Sequence, residues 1–383
     1  MESTQTRSTL LELAVLYLRL GTTALGGPAV HISMMEEEVV TRRGWLTRAD
    51  FLDFLGATNL IPGPNSTEMA IHVGRLRAGW PGLLVAGVSF ILPAALMVGC
   101  LAWAYVRFGT LPQIGAVLYG VKPVVIVVIA QGAFRLGKSA VKSTWLGVLG
   151  LAAVLAAALG IDPLLTLAAA GVSAGMAHVG NARRRTCVAG CLAATGAVTA
   201  AAAVPVGLAL LFLVMLKIGA TIFGGGYVLV AFLRSDLVVR LGWITERQLL
   251  DAIAMGQVTP GPLFTTATFI GYLLGGVAGA AIATVAIFLP AFVLVGVSGP
   301  LVPRIRRSHT AGAMLDGINV AALALMLVVS AQLARTAIVD WFTLVIAGLS
   351  ALLLFRYRVN SAWLVLGSAA TAGLLFWLHL HHL

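Results

Sequence analysis

Four short stretches of this 383-residue chain combine residue types that can do chemistry with residues that break helices. The first is Gly26-Gly27-Pro28, followed by His31 and Glu36. The second is Pro62-Gly63-Pro64, followed by Asn65, Ser66 and Glu68. The third and fourth are Gly224-Gly225-Gly226 and Pro260-Gly261-Pro262, the latter followed by Thr265. A helix restarted after such a break presents unpaired N–H groups and the positive end of its dipole, which favours an anion. Asn65 is placed to cap the restarted helix while Glu68 reaches back, a capping-box pattern, and Thr265 offers a hydroxyl. Glycine backbone can approach an oxyanion closely, although small residues also serve close helix packing.

Charged groups sharpen the ligand class. Arg19, Lys217 and Lys122 lie in otherwise apolar stretches, where a cation is costly and faces the protein interior. They suit an anionic ligand, and arginine in particular can fork onto an oxyanion. The alternative is that Arg19 and Lys217 snorkel to an interface or pair with Glu12 or another carboxylate. His31, Glu36 and Glu68 are candidates for proton coupling, with Glu38, Asp53, Asp236 and Asp251 nearby in the same repeated region. Asp53 and Asp251 alternatively stabilise short helices begun near Thr47 and Thr245. No GxSxG, HExxH or phosphate-binding P-loop occurs, and Cys187 and Cys191 stand a helical turn apart without His or carboxylate. The sequence therefore indicates no catalytic residues, no metal site, no cofactor and no nucleotide-driven pump.

The elements that must position these groups lie in a membrane. The chain is 60% hydrophobic and only 10% charged, and apolar runs of spanning length recur, as at 80–106, 114–134, 277–302 and 317–333. The net charge of +11 would suggest nucleic acid in a soluble protein, but here the basic residues sit in short loops and report orientation. Residues 19–64 align without a gap onto 217–262, every pair 198 apart, and with one gap Pro93 falls on Pro290 and Gly120 on Gly317. Basic loops alternate between the copies. Arg75 and Arg77 face an uncharged partner at 271–276, lone Arg107 faces Arg304, Arg306 and Arg307, Arg135, Lys138 and Lys142 face lone Arg335, and uncharged 159–161 faces Arg356 and Arg358. Positive charge marks the cytoplasm, so the copies have opposite orientation. The expected architecture is an all-α polytopic membrane protein of two inverted-topology repeats, with helices broken at the Pro-Gly-Pro motifs. Residues 1–180 form the first repeat, 181–206 a linker with one span, and 207–383 the second repeat, with about six segments in each repeat and a cytoplasmic N-terminus. Such breaks are tolerated only where the freed backbone is buried in protein or lines a wet cavity, and inverted repeats place the substrate near the midplane.

The stretches "GGPAVHISMMEEEVV", "GWLT", "PGPNSTEMAIHVG", "FGGGYVLVAFL", "GWIT" and "QVTPGPLFTTATFIGY" resemble the paired signatures of the chromate ion transporter family in its long, two-halved form. The resemblance covers nearly the whole chain. It implies a secondary carrier exporting chromate, with sulfate as the related oxyanion, across the bacterial inner membrane, so conferring chromate resistance. It also implies that Gly26, Gly27, Pro28, His31, Glu36, Pro62, Gly63, Pro64 and Asn65, and in the second half Gly224, Gly225, Gly226, Gln257, Pro260, Gly261 and Pro262, occupy positions associated with transport. The copies depart from each other where Leu229 replaces His31, Arg234 replaces Glu36 and Leu263 replaces Asn65. The driving force expected is the proton or potential gradient. A sulfate or other oxyanion carrier, or a passive anion channel, is the alternative. Expected partners are the oxyanion and membrane lipid, with no nucleic acid; the glycine-rich 275–283 face either supports a homodimer or packs within the fold.

Overall fold

The computed structural model describes residues 2–109, 111–179, 205–223, 226–298 and 308–381, which form helices joined by short turns. The first repeat contains α1 (Glu2–Thr23), α2 (Pro28–Glu36) continued by a π-helical turn Glu37–Arg42, α3 (Arg48–Thr58), α4 (Asn65–Phe108), α5 (Pro112–Ala140), α6 (Thr144–Ala158) and α7 (Pro163–Val179). The second contains α8 (Leu208–Thr221), α9 (Leu229–Leu233) continued by π-helical Arg234–Arg240, α10 (Glu246–Val258), α11 (Thr266–Ser298), α12 (His309–Ala337), α13 (Trp341–Phe355) and α14 (Ser361–His381). Local chemistry sets the starts. Thr47 caps α3 by accepting the Asp50 N–H at 3.1 Å, Thr245 forms a capping box with Gln248, and Pro112 and Pro163 open α5 and α7, where a missing N–H costs nothing.

Both α4 and α11 fold back on themselves. Gly79 (φ 59°, ψ −143°) turns the first and Gly276 (φ 60°, ψ −146°) the second, conformations open to glycine alone among common residues. The short first arm of α4 runs antiparallel to α3. Phe54 and His72 stack with ring centroids 5.5 Å apart, Asn65 donates to Asn59 at 2.6 Å beside the tip, and Arg77 lies 4.6 Å over Trp45 at the open end. The Pro-Gly-Pro segment is therefore the tip of a re-entrant hairpin whose two ends emerge on one face. The α1–α2 pair dips inward in the same way, with Glu12 of α1 4.0 Å from Arg77 at that face and its tip at 24–27. Among the described residues five helices are long and apolar enough to cross a membrane, spanning 65–108, 112–138, 263–297, 309–337 and 361–378.

The repeats are inverted. Arg75 donates to the Val295 carbonyl at 2.6 Å, and the ring of Phe292 lies 2.5 Å from where a Cβ on Gly87 would stand, so α4 and α11 run antiparallel through the centre. The tips meet there through two reciprocal backbone bonds. Gly63 N–H donates to the Ile222 carbonyl at 2.9 Å, and Gly261 N–H donates to the Ala24 carbonyl at 3.2 Å. Each bond joins the Pro-Gly-Pro tip of one repeat to the first break of the other, and the two are related by the 198-residue offset. The outer hairpins are exchanged: α6 and α7 pack on α12, and α13 and α14 pack on α5.

Several local expectations change. Asn65 does not cap α4; Pro64 occupies that position with no side-chain cap, and the Glu68 side chain makes no capping bond, because both carboxyl oxygens are buried without a partner. Asp50 rather than Asp53 supports the start of α3. Of the two roles open to the 275–283 glycines, close packing within the fold is seen at Gly279, where a Cβ would stand 2.1 Å from the Gly271 carbonyl oxygen. Arg19 and Lys217 belong to matching braces. Arg19 (3.4 Å) and Arg42 (3.1 Å) share Glu38, and Lys217 (3.0 Å) and Arg240 (3.0 Å) share Asp236. Each brace pins a π-helical turn to the first helix of its repeat. Gly224, Gly225, the linker span at 181–204, its arginines, Cys187, Cys191 and Arg304, Arg306 and Arg307 lie outside the described residues.

Asp236 is only 2% exposed. Asp236→Asn leaves two cations without their shared carboxylate and is expected to cost on the order of 3 kcal/mol, read as a lower thermal midpoint in detergent. Glu38→Gln is expected to cost less, since Arg19 is 59% exposed at its side chain and screened by solvent.

Candidate functional site

A cavity of about 620 Å³ opens beside the tips. Its floor is made by Gly26 and Pro28 from the first break and by Gly226 and Tyr227 from the second repeat's. Pro28, which has no N–H, opens α2, and the Gly27 carbonyl accepts from Val30 (3.1 Å) and His31 (3.2 Å). The N–H groups of Gly26, Gly27 and Ala29 make no hydrogen bond among the described residues, so this helix start keeps the orphan donors that an anion would satisfy.

The walls carry cations. Arg135 on α5 and Arg358 between α13 and α14 line the cavity together with Gln131, Asn319 and Asn360, and neither arginine has a carboxylate partner among the described residues. At the rim Lys142 is held by Asp316 at 2.7 Å. Arg358 has φ 55°, the one positive value outside glycine among the described residues, a conformation costing about 1 kcal/mol and characteristic of functional sites. Asn360 donates to the Leu25 carbonyl at 2.8 Å and so fixes the Gly26-Gly27 loop from the opposite repeat. Tyr227 packs its ring on Gly132, where a Cβ would stand 2.5 Å from Cδ2, and its hydroxyl meets the Gln257 side chain.

The groups singled out from sequence divide into three sets. Gly26, Gly27, Pro28 and Gly226 lie at or beside the cavity. Pro62, Gly63, Pro64, Pro260, Gly261 and Pro262 form the seam between repeats rather than the cavity lining; Thr265 is spent on the Pro262 carbonyl at 2.9 Å, and Ser66 lies 3.4 Å from His31 Nδ1. His31 is buried, its Nε2 3.0 Å from the Ala24 carbonyl that also receives Gly261. Glu36 is at the surface with Arg48 at 3.3 Å, and Glu68 is fully buried one turn from Pro64. The remaining cations are occupied: Arg19 and Lys217 in their braces, and Lys122 on Asp251 at 2.9 Å, with Tyr105 donating to the same carboxylate at 2.9 Å. A free cation is therefore presented by none of the three.

Arg135, Arg358, Tyr227, Gln131, Asn319 and Asn360 were not legible as site residues, the arginines passing for loop charges that set orientation. One sequence signal existed: the position repeat-related to Arg135 is Gln332, so the repeat loses a cation where the cavity lies.

Inverted repeats, re-entrant hairpins meeting at the centre and a cationic cavity beside them define a multi-pass membrane transport protein, not an enzyme. The chromate transporter family model matches residues 11–176 and 209–374, and the chain belongs to that family. It is 33% identical over 381 residues to a chromate transport protein of Cupriavidus metallidurans, covering 98% of this chain and 95% of that one. It is 32% identical to a chromate transport protein of Pseudomonas aeruginosa, covering 95% and 92%. An uncharacterized transporter of Bacillus subtilis is 36% identical over 118 residues, 31% of this chain and 66% of its own length. No solved structure matches the chain significantly.

Gly132→Val fills the space that Tyr227 occupies. Overpacking of about 1–3 kcal/mol is expected to displace the ring toward Gly27 and to lower transport in an uptake assay more than it lowers the amount of protein in the membrane.

Proposed function

We propose that this protein is a secondary carrier that exports a tetrahedral oxyanion, chromate with sulfate as its analogue, from the cytoplasm across the bacterial inner membrane, and thereby confers chromate resistance. The observation that supports this reading is the pair Arg135 and Arg358, cations without a carboxylate partner among the described residues, in a cavity beside backbone N–H groups that make no hydrogen bond among those residues. A dianion there would meet charge-assisted donors from side chains and backbone together. In an otherwise neutralised interior such a site concentrates anions.

The orientation follows from charge. The cavity mouth lies on the face reached by the end of α5, with Lys138 and Lys142, the same face that carries Arg42, Arg43, Arg75 and Arg77. Basic loops mark the cytoplasm, so the cavity faces the cytoplasm and the N-terminus lies on that side. Leu84, Val88, Leu92 and Leu96, four apart on α4 and all exposed, present a stripe suited to lipid. The cavity ends at the hydrogen-bonded tips instead of running through, which favours a carrier over a passive channel. Energy would come from the proton or potential gradient, with His31, Glu36 and Glu68 the candidate coupling groups, and the buried His31 and Glu68 better placed than the surface pair of Glu36 and Arg48.

Radiolabelled chromate uptake into inside-out vesicles is expected to be gradient-dependent and competed by sulfate more than by phosphate. Arg135→Ala is expected to raise the half-saturation concentration roughly ten- to hundredfold, the loss of a hydrogen bond to a charged group. Equilibration without accumulation would replace the carrier with a channel. No flux of either ion would remove the oxyanion reading.

A further inference from the structure

Glu68 has a setting that no other carboxylate among the described residues shares. It is 0% exposed, neither oxygen has a hydrogen-bond partner, and no ion pair involves it. Its Oε1 lies against the Pro-Gly-Pro tip, 2.3 Å from where a Cβ on Gly63 would stand. The N–H of that same glycine makes one of the two bonds of the seam, to Ile222. The second repeat has no such group among its described residues. Thr266 stands at the equivalent position, its hydroxyl donating to the Leu263 carbonyl at 2.8 Å, so the Gly261–Ala24 bond has no acid beside it.

The groups facing Glu68 are few. His72, one turn on along α4, keeps Nε2 buried without a partner. Tyr17 of α1 brings a buried, unpartnered hydroxyl into the apolar cluster that holds Met69 and Val73. His31 of α2 approaches through Ser66. From α11 the neighbours of the tip are apolar, Ala291 and Val295, and Arg75 is turned away onto the Val295 and Gly296 carbonyls. With no cation among these groups and no hydrogen bond to either oxygen, this conformation offers a charged carboxylate nothing to pair with, and an unpaired carboxylate is not sustained in a dry interior.

Resting on the carrier reading above, we infer that Glu68 is the single proton-binding site of the transport cycle, and that its ionisation releases the Gly63–Ile222 bond of the seam. When the carboxyl O–H bond breaks and the proton passes to water admitted at the tip, the carboxylate left behind needs donors. The residue it packs against is Gly63, and a charge-assisted bond to that N–H would outcompete the neutral one to the Ile222 carbonyl. The first repeat then frees the second at one of two contacts. Protonation restores the seam. Proton binding thus acts on the element that closes the path, on one repeat only.

The test uses the full chain in proteoliposomes. Glu68→Gln, a permanent mimic of the neutral acid that keeps the seam closed, is expected to bind chromate within a few-fold of the wild type while losing both accumulation driven by a pH gradient and chromate–chromate counterflow. Glu68→Asp is expected to keep coupling with a displaced pH profile, which guards against a variant that merely misfolds. Infrared difference spectra between acidic and alkaline buffer should show a buried carboxyl band in the wild type that is missing in Glu68→Gln. Gradient-driven accumulation by Glu68→Gln at wild-type level, or identical infrared differences in the two proteins, would overturn the inference while leaving the carrier intact. A wild type that moves no chromate but shows the Glu68 band would remove the carrier and keep the proton site.

Discussion

A backbone N–H group inside a membrane must find an acceptor within the protein, and the architecture here is arranged around that demand. Four breaks interrupt helices at membrane depth, and each would strand peptide groups at a cost of several kcal/mol apiece. Joining the breaks to one another removes much of that cost. Gly63 donates to Ile222 and Gly261 donates to Ala24, so the weak points of each repeat are completed by the other. The glycines are required because φ is 145° at Gly63 and 100° at Gly261. Re-entrant hairpins, inversion of the repeats and the central position of the tips are all conditions for these two bonds to form.

Electrostatics then separates scaffold from site. Intramembrane cations are costly, and most of those present are neutralised: Lys122 by Asp251 across the repeat boundary, Lys217 and Arg240 by Asp236, Arg19 and Arg42 by Glu38. These pairs fasten helices and leave no charge to bind a ligand. Arg135 and Arg358 differ, since they line a cavity large enough for solvent and have no carboxylate partner among the described residues. On the proposed function, selectivity for an anion would follow from which cations lack a partner, not from how many cations the chain contains.

The repeats are alike in backbone and unlike in chemistry. The two π-helical turns, the two glycine turns and the two seam bonds match by position. The side chains of the proposed site do not: Arg135 corresponds to Gln332 and Glu68 to Thr266. Duplication supplies a symmetric frame, and substitution within it gives one repeat the acid and one face the cationic cavity.

The helical class, the two-fold repeat, its inversion and the positions of all four breaks were legible in the sequence, because each rests on a period, a charge bias or a proline–glycine combination read within a few tens of residues. The family could be read too, from motifs spread over nearly the whole chain. The roles of individual charges could not. Arg19, Lys217 and Lys122 look like ligand groups as long as their carboxylates are unseen, and those carboxylates lie 19 residues away in the sequence for Arg19 and Lys217 and in the other repeat for Lys122. Arg135 and Arg358 look like loop charges until the exchanged outer hairpins set them beside the first break. Whether a polar group in a membrane is satisfied or free depends on partners brought up by long-range packing, and only the tertiary structure decides that.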